Sequence, residues 1–207
     1  LFRSPTSIEF NAPAKYQSGT RSQLRAMNVA YSAMQGVVPI NAWSELYDHR
    51  DEALYFRTDH HWTQRGAYYG YVAFCRAAGL QYHALDEYET YSVPGFVGTM
   101  YYYTKNYPQS SVLKNNPDDV EVFKPLSPSR MTIYKDPTLT DGIEYPLILS
   151  KTSAEKLASS AKYMMFIGGD NPICHIKNET VKNGRVLLVT KESYGNALVP
   201  YLTDHFE

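Results

Sequence analysis

Hydrophobic residues recur at helical spacing in two stretches of the first half of the chain. The repeats are three or four residues long, which is the period of one helix face. They fall at Leu24, Met27, Tyr31 and Met34, and again at Ala67, Tyr71, Phe74 and Ala78. Thr20 and Thr63 are suited to cap the two N-termini, and Gly36 and Gly79 to end the helices. Two amphipathic helices are therefore predicted.

Short apolar runs predict the β-strands. They lie at 37–40, 53–56, 131–134, 145–149, 163–167 and 185–190. The last run is the strongest, and a continuous apolar run of this kind is typical of a strand buried on both faces of a parallel sheet. Asp141-Gly142 predicts that the third and fourth runs form a hairpin. Together with short helices over 44–52 and 153–161, the pattern predicts an α/β fold whose functional residues gather where strands end.

Residues 90–150 break this pattern. Glycine and proline interrupt the first part of the region at Pro94, Gly95, Gly98, Pro108, Pro117, Pro125 and Pro128. Loops of this length in a domain are usually functional or disordered. We predict a loop-rich insertion with some β-structure over 90–150, close to the functional site and within a single domain that covers 1–207.

The composition excludes some classes of protein. The net charge is -1, so the chain lacks the basic excess that is typical of nucleic-acid-binding proteins. No apolar run reaches the roughly 18–20 residues of a membrane-spanning helix. Because the chain begins at Leu1 and not at Met, we expect a trimmed or mature fragment, in which a missing signal peptide says nothing about location.

Cysteine and tyrosine add less decisive information. Cys75 and Cys174 are too few for a disulfide scaffold, and two free thiols are the simpler interpretation, although the sequence leaves their pairing open. The 19 tyrosines suit a sugar-binding cleft, because tyrosine combines an apolar face with a hydroxyl group. They suit a β-rich core with wet edges equally well.

One carboxylate and two imidazoles lie together in the turn between the predicted strand 53–56 and the second helix. Asp59 and His61 can supply an orienting group and a base, and Ser193 follows the apolar run 185–190 as a candidate nucleophile. We then expect the Ser193 hydroxyl within hydrogen-bond reach of one His61 nitrogen, with Asp59 on the other. Asp59, His60 and His61 also suit a metal site with a further ligand, and Ser193 also suits a helix cap.

The segment Gly168-Gly169-Asp170-Asn171 also follows an apolar run. Oxyanion holes are built from backbone N–H groups and amide side chains. Gly168, Gly169 and Asn171 offer such donors. A plain glycine-rich turn is the alternative interpretation.

Three motifs carry a resemblance to a known family. They are Tyr55-Phe56-Arg57-Thr58-Asp59-His60-His61-Trp62-Thr63 with Gly66-Ala67-Tyr68-Tyr69, then Phe166-Ile167-Gly168-Gly169-Asp170-Asn171-Pro172, then Leu187-Leu188-Val189-Thr190-Lys191-Glu192-Ser193-Tyr194-Gly195-Asn196 with Pro200-Tyr201-Leu202. Over roughly residues 20–207 the chain resembles the bacterial DHHW protein family. That family is similar to the SGNH-like acetyltransferase domains of the alginate O-acetylation machinery, which carry an Asp-x-His-Trp turn upstream of the catalytic serine.

The resemblance implies a fold and a set of roles. The fold is a three-layer SGNH-hydrolase-like sheet with helices on both faces and a circularly permuted order of motifs. Asp59 becomes the orienter, His61 the base and Ser193 the nucleophile, while His60 supports the site. Glu192 stands before the serine where Asp is common in SGNH hydrolases. The family pattern normally continues past the last residue of this chain, so we expect its C-terminal end to be incomplete.

The resemblance also implies an extracytoplasmic O-acetyltransferase or O-acetylesterase that acts on a cell-surface polysaccharide through an acyl-serine. Its partners would be a polysaccharide or acetylated sugar and a membrane-bound acyl donor, and it needs no cofactor and no metal. Substrate contacts are expected from Arg57, Trp62, Tyr101, Tyr102, Tyr103 and Tyr194. A non-catalytic polysaccharide-binding or assembly protein, and a metal-dependent hydrolase built on the Asp-His-His turn, stay open as alternatives.

Overall fold

The computed structural model describes Thr6, residues 8–17, Gly19 and residues 21–207. Its α-helices are α1 (Ile8–Asn11), α2 (Ala14–Gln17), α3 (Gln23–Ser32), α4 (Ala42–Asp48), α5 (Gln64–Ala78), α6 (Thr99–Thr104), α7 (Ser111–Asn115), α8 (Lys151–Glu155) and α9 (Gly195–Leu202). Short 3₁₀ helices cover Leu85–Glu87, Pro108–Ser110 and Ser159–Met165. The strands are β1 (Thr90–Phe96), β2 (Asp118–Phe123), β3 (Ser129–Tyr134), β4 (Ile143–Tyr145) and β5 (Ile173–Asn178). The predicted α/β class is confirmed.

The strands form two small antiparallel sheets. In the first sheet β1 pairs with β2, and Val93 lies opposite Val120. In the second sheet the order is β4-β3-β5, so that Met131 faces Tyr145 on one side and Ile176 on the other. The pairing of β3 with β4 confirms the predicted hairpin. Neither sheet of the described residues contains the parallel pairs that the three-layer prediction requires.

Both long helices form, but α3 ends at Ser32, so Met34 and the predicted end at Gly36 lie beyond it. The side chain of Ser22 caps α3 by accepting from the Arg25 N–H at 3.3 Å, and the predicted cap, Thr20, lies outside the described residues. Helix α5 begins after Thr63, whose hydroxyl oxygen accepts from the Gly66 N–H at 3.1 Å. It ends at Gly79, which has a left-handed backbone with φ of 66°. Both ends of α5 therefore match the prediction.

The shorter predicted helices are shifted or divided. The helix predicted over 44–52 is α4, and it begins earlier because the Asn41 side chain caps it by accepting from the Trp43 N–H. The helix predicted over 153–161 is replaced by α8, capped by Ser150, and by the start of the 3₁₀ helix Ser159–Met165. Local side-chain caps, which compete closely in sequence, decide these boundaries.

Three of the predicted strands are reduced to single bridge residues. The run 53–56 contributes only the bridge between Tyr55 and Trp62, and the run 163–167 lies mostly in a 3₁₀ helix, with Phe166 bridging to Ile148. In the run 37–40 only the last residue is in a bridge. Short apolar runs fit either a strand or a buried turn, and only their tertiary partners distinguish the two.

The apolar run 185–190 is not a paired strand, so the prediction of a buried central strand is wrong. Val186 and Leu188 are 84% and 93% exposed. Leu187 packs against the main core. A strand is buried in a parallel sheet only when neighbouring strands pair with it, and no described strand pairs with this run, although the Glu207 N–H donates to the Arg185 carbonyl at 2.9 Å. It is an extended, exposed segment that leads into the turn at Ser193.

Residues 90–150 are more regular than predicted. Both β1 and β2 bury alternate side chains, among them Val93, Val120 and Val122, in the main hydrophobic core. This alternation is the period of a strand with one face covered. The region therefore helps to build the core, and it brings α6 and the start of β2 against the turn that carries Asp59.

Candidate active site

The turn that carries Asp59 is the tip of a tight hairpin. Tyr55 and Trp62 pair across it in an antiparallel bridge. Below this bridge the Thr63 N–H donates to the Leu54 carbonyl at 2.9 Å. Helix α5 begins at Gln64, directly after the hairpin. The bridge and the start of this helix together fix the position of the tip.

Asp59, His61 and Ser193 form one hydrogen-bonded chain. The His61 Nδ1 lies 2.6 Å from Asp59 Oδ1, and the His61 Nε2 lies 2.7 Å from the Ser193 hydroxyl oxygen. An ionised Asp59 accepts hydrogen bonds only, so Nδ1 carries the proton and Nε2 accepts from the Ser193 hydroxyl. His61 and Ser193 are 132 positions apart in sequence. The geometry that the sequence predicted is present.

The environment of Asp59 favours its charged form. Burial alone would raise the pKa of this carboxyl group. Hydrogen bonds from the His61 side chain and from the Thr99 and His61 backbone N–H groups outweigh burial and lower the pKa well below its usual value. Asp59 is therefore an ionised carboxylate at neutral pH, as an orienting group for His61 must be.

Thr99, at the start of α6, holds the second oxygen of Asp59. Its N–H donates to Asp59 Oδ2 at 2.8 Å and its hydroxyl donates at 3.0 Å. The hydroxyl oxygen lies 2.6 Å from His60 Nδ1, so this nitrogen is the donor. Burial, followed by the proximity of His61, lowers the pKa of His60. A Cβ atom on Gly98 would lie 2.2 Å from Asp59 Oδ2, so only glycine permits this approach.

A second carboxylate, Asp118 at the start of β2, fixes the hairpin tip. Its Oδ2 accepts from the Thr58 N–H at 2.8 Å and from the Thr58 hydroxyl at 2.6 Å. Its Oδ1 accepts from the Arg57 N–H at 3.1 Å and from Arg57 Nε at 3.0 Å. Asp118 is buried, and these bonds satisfy its oxygens. The 90–150 region therefore holds the residues on both sides of Asp59.

Ser193 lies in a turn immediately before α9. The indole N–H of Trp62 donates to the Tyr194 carbonyl at 2.9 Å, so the hairpin is hydrogen-bonded to the backbone beside the serine. The Glu192 carboxylate accepts from the Tyr194 N–H at 2.8 Å and closes the turn. The arrangement of extended run, tight turn and helix resembles a nucleophile elbow, although no described strand pairs with the run before it.

The glycine-rich turn lies beside the Ser193 segment. Asp170 accepts from Lys191 Nζ at 3.0 Å and from the Asn196 side chain at 3.2 Å. Gly168 and Gly169 have φ of 70° and 84°, and the preceding Ile167 has φ of 47°, a strained value for a β-branched residue. The turn is thus held in an unusual conformation next to the serine.

The predicted oxyanion donors of this turn are partly engaged. The Asn171 amide donates to the carbonyls of Ile167 and Gly169, at 2.9 and 3.3 Å. The Gly169 N–H donates to the Phe166 carbonyl at 3.0 Å. Asn171 and Gly169 therefore hold the turn together instead of pointing donors at the serine.

Two of the predicted substrate contacts are excluded by burial. Trp62 is fully buried, and Tyr194 is buried with its hydroxyl donating to the His60 carbonyl, so both serve the framework of the site. The Arg57 side chain is exposed, although its guanidinium is bonded to Asp118. Tyr101, Tyr102 and Tyr103 lie on α6, separated from Thr99 by one residue, and Tyr102 and Tyr103 are exposed.

Sequence reasoning missed Thr99, Asp118 and Tyr163. Tyr163 stacks on the His61 ring, with ring centroids 4.0 Å apart. None of the three lies in a motif with a diagnostic spacing, and Tyr163 lies in an apolar run whose pattern predicts a strand. Their roles depend on tertiary contacts between residues that are 30 to 102 positions apart in sequence, for which the sequence pattern holds no signal.

The same turn offers a possible set of metal ligands. Asp59, His60 and His61 each present one ligand atom, and these atoms lie within 4.8 Å of one another. In this structure both ring nitrogens of His61 are already hydrogen-bonded, Nδ1 to Asp59 Oδ1 and Nε2 to the Ser193 hydroxyl. A metal ion bound here through His61 would have to replace one of its two bonds, either that to Asp59 or that to Ser193.

A buried Asp–His pair bonded to a serine on a mixed α/β framework defines the class of site. A family model described as "DHHW protein" matches residues 4–207, and the chain belongs to this family, as its motifs predicted. A DHHW family protein from Eubacterium siraeum is 33% identical with a TM-score of 0.86; the match covers 100% of this chain and 66% of that one. Bacillus cereus PatB1, solved with a sulfonyl adduct, is 21% identical with a TM-score of 0.71, over 99% and 68%. No curated protein matches.

The chain spans about two thirds of the length of these solved relatives. No helix in the described part of the chain is long and apolar enough to cross a membrane. Cys75 and Cys174 are free thiols.

Proposed function

We propose that this chain is an SGNH-like acyl-ester enzyme that works through an acyl-serine at Ser193. The observation that carries the proposal is the continuous chain from Asp59 through His61 to the Ser193 hydroxyl, with bonds of 2.6 and 2.7 Å. A serine hydroxyl becomes a useful nucleophile only when a neighbouring base takes its proton, and the base needs a third group to fix its tautomer. Both conditions are met, because His61 is the neighbouring base and Asp59 is the third group.

The reaction has two half-reactions. In the first, Ser193 Oγ attacks the carbonyl carbon of an acetyl ester while His61 Nε2 takes the hydroxyl proton. The tetrahedral intermediate collapses, the alcohol leaves with that proton, and acetyl-Ser193 remains. In the second, His61 deprotonates water or a sugar hydroxyl, which attacks acetyl-Ser193, and the proton returns to Ser193. Water gives an esterase and a sugar hydroxyl gives an O-acetyltransferase.

The negative charge of the intermediate needs hydrogen-bond donors. The Asn171 amide and the Gly169 N–H are engaged within their own turn. We assign the oxyanion donors to the Ser193 N–H and the Gly168 N–H. The N-terminal end of α9, two residues past Ser193, adds a favourable partial positive charge.

The substrate we propose is a cell-surface polysaccharide. An esterase would remove acetyl groups from it, and a transferase would add acetyl groups taken from a membrane-bound donor. The exposed tyrosines of α6 support a sugar substrate, because aromatic faces stack on sugar rings and α6 begins at the Asp59 contact. The resemblance to SGNH-like O-acetyltransferase domains supports an extracytoplasmic location, a single domain and a permuted three-layer fold. The sulfonyl adduct in PatB1 supports an activated nucleophile in this fold.

A sulfonyl fluoride probe tests the proposal. The wild-type chain should be labelled once, on Ser193. Ser193→Ala should abolish labelling, while Ser92→Ala, which removes an exposed serine on β1, should leave it unchanged. Labelling that survives Ser193→Ala would contradict the proposal. The fate of the acetyl group then distinguishes the two activities. Free acetate released from a polysaccharide identifies an esterase, and an acetyl group transferred to a second sugar identifies a transferase.

The ligand atoms of Asp59, His60 and His61 favour one second candidate, a metal-dependent hydrolase. It predicts the opposite results: one equivalent of metal by elemental analysis, loss of activity with a chelator, and no serine labelling. Polysaccharide binding that survives Ser193→Ala without any ester turnover would instead identify a binding protein.

A further inference from the structure

Tyr163 touches both halves of the proposed catalytic pair. Its ring is stacked on the His61 imidazole, with centroids 4.0 Å apart and planes 11° from parallel. Its hydroxyl donates to the Ser193 carbonyl at 3.0 Å and lies 3.4 Å from the Tyr194 carbonyl. It comes from the 3₁₀ helix Ser159–Met165, an element that contains none of the proposed catalytic residues.

Burial limits what Tyr163 can do. The side chain is buried, so it makes no contact with a polymeric substrate. Burial also raises the pKa of its hydroxyl well above the usual value, so the group keeps its proton and remains a donor. The hydroxyl is directed at backbone carbonyls, and no bond joins it to the Ser193 side chain. Proton transfer and substrate binding are therefore excluded as its roles.

Tyr163 adds a further contact to the Ser193 turn, beside the bond from Trp62 to the Tyr194 carbonyl. On its N-terminal side lies the exposed run 185–190, which no described strand supports. The Ser193 carbonyl is held by the Tyr163 hydroxyl on one side and by the Asn196 N–H at 3.1 Å on the other. The ring of the same tyrosine covers one face of His61. One rigid side chain thus fixes the plane of the base relative to the backbone of the nucleophile.

We infer that Tyr163 is a positioning residue that sets the distance between His61 Nε2 and Ser193 Oγ. The inference rests on the proposed function for its catalytic consequence, but its geometric content is independent. A misplacement of about 1 Å between reacting groups can lower a rate about 100-fold. The ring and the hydroxyl make separable contributions, so two variants resolve them.

The variants are Tyr163→Phe, which keeps the ring, and Tyr163→Leu, which removes ring and hydroxyl. The matched control is Tyr201→Phe, because Tyr201 is also buried and its hydroxyl also donates to a backbone carbonyl, that of Gln64, at 3.1 Å. We expect similar falls in Tm for the two phenylalanine variants. For an acetyl ester, Tyr163→Phe should lower kcat about tenfold at constant KM, and Tyr163→Leu about 100-fold. Tyr201→Phe should keep kcat within about twofold.

Crystal structures of the same variants supply a readout that needs no activity. The separation of His61 Nε2 and Ser193 Oγ should exceed the hydrogen-bond limit of about 3.2 Å in Tyr163→Leu and stay near the wild-type value in Tyr201→Phe. An unchanged separation in Tyr163→Leu, or an equal loss of kcat in Tyr201→Phe, would overturn the inference. Failure of the wild-type chain to turn over any ester or to react at Ser193 would refute the proposed function instead, and the crystal structures would still decide the role of Tyr163.

Discussion

Two neighbouring segments of the chain, 185–190 and 191–196, behave in opposite ways. The first is apolar, yet it is extended and exposed, with Leu188 93% accessible. The second is polar, yet Tyr194, Gly195 and Asn196 are buried and bonded to the Asp59 hairpin and the glycine-rich turn. Hydrophobicity alone therefore assigns burial to the wrong segment.

The difference lies in where each segment finds its partners. The polar segment is bonded by particular donors and acceptors, namely Trp62, His61, Tyr163 and Asp170, all within the described chain. The apolar run needs strands on both of its edges, and the described residues provide none. Specific polar bonds can form within a small part of a fold, whereas the burial of a central strand requires the neighbouring strands of the sheet.

The largest effect is expected in the polar segment, on the rate of Ser193 sulfonylation. Asp59→Asn keeps the shape of the side chain but cannot stabilise the imidazolium and favours the wrong tautomer of His61. By analogy with other serine triads, the labelling rate should fall about 10³–10⁴-fold. The labelling rate is measured by quenching the reaction at a series of times and counting labelled protein by mass spectrometry. A fall of less than about tenfold would show that His61 is not activated through Asp59.

The next largest effect contrasts two leucines. Leu46 is fully buried in the main core, and Leu188 is exposed. Leu46→Ala should lower the free energy of unfolding by about 2–5 kcal/mol, while Leu188→Ala should change it by no more than about 0.5 kcal/mol. Urea denaturation measures both. A comparable loss in Leu188→Ala would mean that the run 185–190 is covered in solution, and the contrast between the two segments would fail.

A third effect concerns the anchor of the hairpin. Asp118→Ala removes the acceptor of the buried Thr58 N–H and hydroxyl, and this should cost about 3 kcal/mol of unfolding free energy. Its exposed neighbour Asp119 is the matched control, for which substitution by alanine should cost less than about 0.5 kcal/mol. Equal effects at the two positions would refute the anchoring role.

The smallest effect is a dependence of stability on pH. The folded pKa of Asp59 is lowered, so its contribution to stability is complete above the unfolded value of about 3.9 and is lost as the pH falls towards the folded pKa. The difference in unfolding free energy between the wild type and Asp59→Asn should therefore narrow between about pH 5 and pH 3. Urea titrations across this range measure it, and a difference that stays constant or widens would contradict the assignment.

Much of the site could be predicted from the sequence because its chemistry is local. Asp59 and His61 share one turn, Thr63 caps α5, and Gly79 ends it, and each of these features has a signature of a few residues. Ser193 could be added because it follows an apolar run within a motif of the family. The residues of the site therefore came from short, specific patterns.

The remaining features depend on long-range packing. Asp118 and Thr99 bind the hairpin from a region that glycine and proline marked as loops, and Tyr163 lies in a run that resembles a strand. The run 185–190 has the composition of a central strand, but its burial depends on strands that a local pattern does not specify. The fold class was accessible from the sequence, whereas the sheet order was not.

The most direct test of the central claim is to trap the acyl-enzyme. The wild-type chain is mixed with a chromogenic acetyl ester, quenched in acid, digested and analysed by mass spectrometry. We expect one acetyl group on the peptide that contains Ser193, and none on the same peptide of His61→Ala. Turnover of the ester with no acetylated Ser193, or with the acetyl group on another residue, would contradict the claim.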